Sequence, residues 1–291
     1  MSSFIKFCVI ILFALLFTEA LLAQSQQQFP YTLNTKREIA LTGAGLALQG
    51  VGIIFNKDKD NRHFTFSNAQ ENDIPFFDEW SVNYHSEDAA RASDVAELVG
   101  IACPLLLAGN EFLKDYRNCR VPTDNAGGKR CNVRGLIVLT MYVQTMIITT
   151  GMINTTKGIV NRYRPYVYSN NFPDDKNDAY AAKSFFSGHT AATAASTFFA
   201  AKIFSDVYPE SKWKNAAWIT AATIPAVTGA LRIGAGRHFL SDVLAGYAVG
   251  AAVGILVPQL HKDKKGDGVK AQFIPLYNKG LVGLGVEYSF P

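Results

Sequence analysis

Between Gly135 and Ile153 the chain runs for nineteen residues without a charge. A helix rises about 1.5 Å per residue, so this stretch is long enough to cross the hydrocarbon of a bilayer. Five other apolar segments accompany it, at about 39–55, 95–113, 188–204, 216–231 and 243–258, the last nearly qualifying as a span as well. They are rich in Ala, Gly and Thr, and some carry a polar residue such as Glu97, Asn110 or Lys202. Small residues let helix backbones approach closely, in lipid or in water. Sustained β alternation is missing until the C-terminal tail, so an all-α, six-helix bundle is expected. Composition leaves membrane and soluble versions of it level, with 48% hydrophobic residues, 18% charged and a mean hydropathy of +0.07. It does exclude disorder and a collagenous or cysteine-framework chain. The net charge of +4 is mild, and no block of Lys and Arg argues for nucleic acid.

The N-terminus reads as an export signal. Lys6 precedes an apolar run from Phe7 to Phe17, and small residues follow at Ala20 and Ala23. That pattern predicts a signal peptide over 1–23, with an uncleaved anchor as the alternative. Export takes Cys8 away and exposes the rest to oxidising conditions. Cys119 and Cys131 enclose a polar loop with Pro122, Gly127 and Gly128, a candidate disulfide, while Cys103 reads as a buried small hydrophobe. No Cys/His spacing resembles a zinc site.

The expected organisation after the signal is an N-terminal helix and polar linker over 24–93, then a helical domain over 94–260. A charged tail with a short β-hairpin follows over 261–291. The linker is spotted with aromatics (Phe64, Phe66, Phe76, Phe77, Trp80, Tyr84), and 166–183 is a second polar stretch. In the tail, Ala271–Tyr277 and Leu281–Phe290 flank a turn at Asn278–Lys279–Gly280. Such a hairpin reads as a cap on the bundle or, alternatively, as a docking element.

Three clusters stand at the ends of these segments: Lys157 to Arg164-Pro165, Phe186-Ser187-Gly188-His189-Thr190, and Arg232 to His238 and Asp242. Ser187 is a natural N-cap, and Gly188 lets a ligand approach the amides of a helix N-terminus, a ready anion site. Lys157, Arg164 and Arg232 add cations suited to phosphate oxygens. His238 and Asp242 are four apart, hence on one helical face, where a carboxylate can fix the imidazole tautomer and sharpen its nucleophilicity. His189 is a second imidazole, available to protonate a leaving group. Phosphoryl transfer requires mainly positioning and charge stabilisation, and this set supplies both. Each cluster alone is ordinary: a helix cap, an i,i+4 contact, an Arg-Pro punctuation. Their conjunction is not.

K-x6-R-P, then S-G-H, then R-x5-H-x3-D, in this order, resembles the signature of the type 2 phosphatidic acid phosphatase superfamily. Bacterial class A acid phosphatases and vanadium haloperoxidases share it. The match runs from about 135 to 258, and the six-helix layout extends it. The resemblance implies an all-α bundle, hydrolysis without a metal or other cofactor, and a phosphohistidine intermediate. It implies that His238 attacks phosphorus, Asp242 orients it, and His189 acts as acid and then base. Lys157, Arg164, Arg232, Ser187 and the Gly188 amide would cradle the phosphate. Two positions depart from the pattern: Phe186 replaces the usual Pro, and Leu231 replaces a Ser whose hydroxyl would lie near the phosphate.

The expected function is a lipid phosphate or pyrophosphate phosphatase, acting on a membrane phospholipid or an isoprenoid phosphate. A soluble periplasmic acid phosphatase, a haloperoxidase and a non-catalytic scaffold are the alternatives. The expected place is the cell envelope, in the membrane with the site facing the periplasm, or in the periplasm itself. Topology holds a conflict. Basic residues in 114–134 and 262–270 place both on the cytoplasmic side with the motifs outside. A cleaved signal, however, starts the mature chain outside, and a spanning segment 39–55 would then invert every later helix. Either 39–55 does not cross, or the N-terminal run is not a cleaved signal.

Overall fold

The computed structural model describes residues 29–57, 74–119, 133–169, 180–263, 270–278 and 281–289. The proposed signal peptide and Cys131, with its candidate disulfide, lie outside these residues. The long helices are α1 (Thr35–Lys57), α2 (Glu87–Cys119), α3 (Arg134–Val160), α5 (Gly188–Val207), α6 (Lys214–Gly234) and α7 (Leu240–His261). A single turn α4 (Pro165–Tyr168) and a 3-10 turn at Glu79–Asn83 complete the helical part. All six apolar segments are therefore helices, and the fold is all-α as the sequence implies.

Their directions alternate. Thr155 Oγ1 donates to Leu48 O at 2.7 Å and Gln144 Nε2 to Glu38 Oε2 at 2.8 Å, so α1 and α3 run parallel. Tyr142 on α3 meets Ser196 on α5 at 2.9 Å, while Lys157 lies by Gly188, so those two run antiparallel. Helices α1, α3 and α6 run toward one end of the bundle, and α2, α5 and α7 run away from it. Segment 39–55 is thus a full member of the bundle. The division at 93/94 falls inside α2, which begins at Glu87.

Helix α5 is the axis. Val138 and Met141 of α3 are fully buried around it, as are its own Phe199, Thr193 and Ser196. Ser196 returns its hydroxyl proton to Ala192 O at 2.8 Å, and Thr197 donates to Ala221 O at 2.9 Å, so these polar groups enter the core satisfied. Helix α7 lies hard against α5 through Gly246, Gly250 and Gly254. A Cβ on Gly250 would stand 2.2 Å from Ala191 O, a contact only glycine permits.

The outside is apolar. Ile39, Ile53, Ile54, Leu98 and Ile219 are each about two-thirds exposed. An apolar surface of this extent belongs in lipid. Five helical stretches, Thr35–Lys57, Glu87–Arg117, Arg134–Tyr168, Lys214–Gly234 and Leu240–His261, have the length and composition to cross a membrane. This is a membrane protein, its mild mean hydropathy reflecting small-residue helices and polar connections. In the tail, Lys270–Asn278 (β1) and Leu281–Ser289 (β2) run as two antiparallel strands with Lys270 opposite Ser289.

Candidate active site

The alternation delivers the three motifs to one end of the bundle. Lys157 is in the last turn of α3, Gly188 and His189 open α5, Arg232 closes α6, and Asp242 lies in the first turn of α7. Between α6 and α7 the chain turns at Gly236, whose φ of +68° suits a residue without a side chain. A Cβ there would also stand 2.2 Å from Tyr84 O, so the turn seats against the segment before α2. That seat fixes His238, two residues on.

His238 is 1% exposed, and its Nδ1 stands 3.5 Å from Asp242 Oδ2 without forming a hydrogen bond to it. Burial pushes the His238 imidazole well below its ordinary pKa of 6.5; the Asp242 carboxylate opposes this, and the Arg164 and Arg232 charges reinforce it. The ring is neutral at neutral pH, the state a nucleophile requires. Asp242 is held from several sides. Its Oδ2 accepts from Phe239 N at 3.0 Å and from Ser184 Oγ at 2.5 Å, and its Oδ1 accepts from Arg162 Nη1 at 2.6 Å.

The cations gather around this pair. A Cβ on Gly188 would lie 3.4 Å from Lys157 Nζ, which places the ammonium at the start of α5. Arg164 is 7% exposed, and its Nε donates to Tyr180 O at 3.1 Å. Arg232 is equally buried, and its Nη1 donates to Ser93 Oγ at 3.2 Å. Its Nε is buried without a hydrogen-bond partner, a donor left over beside these groups. Ser187 plays a more structural part than its motif implies. Its Oγ caps α5, accepting from Thr190 N at 3.5 Å and pairing with Thr190 Oγ1 at 2.9 Å. Its backbone N–H donates to Asp242 O at 3.0 Å, tying the second motif to the third.

His189 stands at the rim. Its Nε2 lies 3.1 Å from Asp94 Oδ1 and 3.2 Å from Glu97 Oε2, both on α2. Sequence reasoning missed these two carboxylates, and it missed Arg162 and Asp78. Arg162 bridges Asp242 and the fully buried Asp78, whose Oδ2 accepts from Arg162 Nη2 at 2.7 Å. Asp78 in turn accepts from Ser241 N at 3.0 Å. The guanidinium also lies 4.2 Å over the Phe239 ring. Its signal was a second arginine two residues before Arg164; Asp78 lay in the aromatic linker with nothing to single it out. Leu231 removes a hydroxyl from the motif, and Ser93 on α2 supplies one to the neighbouring Arg232.

This arrangement can bind a tetrahedral anion, attack it with a neutral imidazole and protonate a leaving group with a second one. Residues 135–265 match the model of the PAP2 superfamily. Over 112 residues the chain is 39% identical to lipid A 1-phosphatase of Porphyromonas gingivalis, covering 38% of this chain and 21% of that protein. The chain thus spans about a fifth of that relative's length. It also resembles the crystal structure of a transmembrane PAP2 type phosphatidylglycerolphosphate phosphatase from Bacillus subtilis. That likeness is 18% in identity, with a TM-score of 0.43, and covers 74% of this chain and 94% of the other. The matched residues, 135–265, hold all three motifs, and over them the chain is similar to the PAP2 superfamily.

Proposed function

We propose that this protein is a lipid phosphate phosphatase that works through a phosphohistidine without a metal. The observation that carries the reading is the convergence of His238, His189, Lys157, Arg164 and Arg232 at one end of a lipid-facing bundle. Asp242 faces Nδ1 of His238, which leaves Nε2 to attack phosphorus. The ester P–O bond breaks as the P–N bond forms, and His189 gives its proton to the departing alkoxide. Water then attacks the phosphohistidine, His189 takes its proton, the P–N bond breaks and phosphate leaves. Lys157, Arg164, Arg232 and the amides opening α5 offset the charge that builds on the phosphoryl oxygens.

The substrate is a phosphorylated lipid of the membrane in which the bundle sits. The name of the Porphyromonas relative makes a lipid A 1-phosphate the first candidate, beside phosphatidate, phosphatidylglycerol phosphate and an isoprenoid pyrophosphate. The site faces the periplasm in this reading. Lys114, Arg117, Arg134, Lys212, Lys214 and Lys262 all lie toward the opposite end, which the positive-inside rule assigns to the cytoplasm.

The test is phosphate release by the purified full chain from each of these lipids and from a soluble aryl phosphate. At least one lipid is expected to be the better substrate, vanadate is expected to inhibit competitively, and His238→Ala is expected to release no phosphate while staying folded. Wild-type turnover in that variant would overturn the proposal.

A further inference from the structure

One oxygen of Asp94 sits where a substrate oxygen has to be. Asp94 Oδ1 is 3.1 Å from His189 Nε2 and 3.6 Å from Arg232 Nη1. In the reading above, these two groups share the phosphoryl centre: the imidazole addresses the leaving oxygen and the guanidinium a non-bridging one. A carboxylate resembles the phosphate it faces, with negative charge spread over acceptor oxygens. The wall and the occupant differ in freedom. The Arg232 side chain is 8% exposed and fixed by Ser93, whereas Asp94 is 61% exposed at the mouth of the site. Asp94 can therefore swing into water at little cost, while Arg232 stays. Glu97 Oε2, 3.2 Å from the same His189 nitrogen, remains to hold the ring when Asp94 leaves.

We infer that Asp94 is a resident competitor for the phosphate site: its carboxylate fills the anion position of the empty enzyme and is displaced when a phosphate ester binds. This inference rests on the phosphatase reading and adds to it. A built-in anion lowers the affinity of the site for every tetrahedral oxyanion, including the inorganic phosphate that the reaction leaves behind. It thereby favours product release, and it leaves tight binding to substrates whose lipid part supplies additional contact.

The test uses the full chain in detergent and measures vanadate and inorganic phosphate as inhibitors of aryl phosphate hydrolysis, with direct calorimetric binding of vanadate. Asp94→Asn is expected to bind both anions about tenfold more tightly, the scale of one displaced charge-assisted hydrogen bond. Asp88→Asn removes the same charge from the same helix at an exposed position whose carboxylate pairs with Arg91, and is expected to leave both affinities unchanged. Equal or weaker anion binding in Asp94→Asn would overturn the inference. So would an equal gain in Asp88→Asn, because the effect would then be one of general field. If the wild type neither binds vanadate nor releases phosphate, the phosphatase reading fails instead. An active, vanadate-sensitive wild type with an unaltered Asp94→Asn defeats the competitor alone.

Discussion

Two histidines are buried at opposite ends of the bundle, each beside a carboxylate, and they are built for different purposes. His261, fully buried at the end of α7, is saturated. Its Nδ1 lies 2.7 Å from Val257 O and its Nε2 2.8 Å from Glu38 Oε2. Glu38 also takes Gln144 Nε2 at 2.8 Å and Asn34 N at 3.0 Å. His238, at the start of the same helix, has a buried Nδ1 with no hydrogen bond and a carboxylate 3.5 Å away. Its carboxylate, not its ring, is the saturated partner. A structural pair is closed by its neighbours; a reactive one is held next to a closed neighbour and left with capacity. The same contrast runs through the surroundings. Around His261 and Asp206 each charge has its counter-charge, as in Tyr31 and Lys262 converging on Asp206 at 2.7 and 3.0 Å. Around His238 the cations Lys157, Arg164 and Arg232 gather, and the buried Nε of Arg232 keeps a donor without a hydrogen-bond partner, a group available to an anion.

Substitution at the reactive histidine separates the two ends most sharply. His238→Ala is expected to lower phosphate release by more than about 10⁴-fold, the scale seen when a nucleophile is removed. Its thermal midpoint is expected to move little, because Asp242 keeps Arg162, Ser184 and the Phe239 amide. A collapse in folding with the loss of activity would erase the distinction drawn here.

Arg162→Ala is the next largest. It leaves Asp242 and Asp78, both fully buried, without their shared cation, and breaking a buried pair costs about 3–5 kcal/mol. Because the guanidinium orients Asp242 and so His238, kcat is expected to fall about 100-fold, the effect of a small misplacement at a reacting centre. KM should move less, since Arg162 is spent on carboxylates. A detergent-solubilised melt alongside the kcat and KM split checks both parts. Glu38→Ala, at the other end, takes the acceptor from His261 and Gln144 and should cost about 3 kcal/mol. Hydrolysis per folded molecule is expected to be unchanged. A lowered kcat there would mean that the two ends communicate.

The sequence showed the parts of this design that repeat at fixed spacing, and not those that depend on the path between motifs. Six apolar stretches were enough to expect six helices, and the motif spacing was enough to bring His189, His238 and Asp242 to one end. Ser187 was legible as an N-cap because that chemistry is local. Asp78 was not legible: one acid in an aromatic linker acquires its meaning only when the linker folds beneath α7 and offers it to Arg162 and Ser241. Asp94 and Glu97 were hidden in the same way, since an acid near the start of an apolar segment reads as solvated until α2 is known to run parallel to α5. The role of 39–55 needed the same three-dimensional information. Its own Gln49 and the flanking Glu38 and Asn56 are bonded to α3 and α7, a pairing no sequence pattern displays.

The smallest expected effect concerns protons. His238 is kept neutral in the folded protein, its pKa well below 6.5, with burial as the leading cause. The unfolded chain regains an ordinary imidazole. Above pH 6.5 neither state carries the proton, so the group adds no pH dependence there. Below 6.5 the unfolded state binds a proton that the folded state refuses, and stability falls as the pH falls, by up to about 1.4 kcal/mol per pH unit. This is the reverse of a histidine that gains a partner on folding and is stabilised by acid. From pH 7.5 through 6.5 to 5.5 the midpoint difference between wild type and His238→Ala is therefore expected to shift in the variant's favour, the wild type losing stability faster on the acid side. His238→Ala removes this one proton site and keeps the other titrating groups, so the difference between the two curves isolates His238. Parallel curves would mean that the ring takes up its proton without leaving the fold, and that the unsatisfied Nδ1 closes on Asp242 once charged.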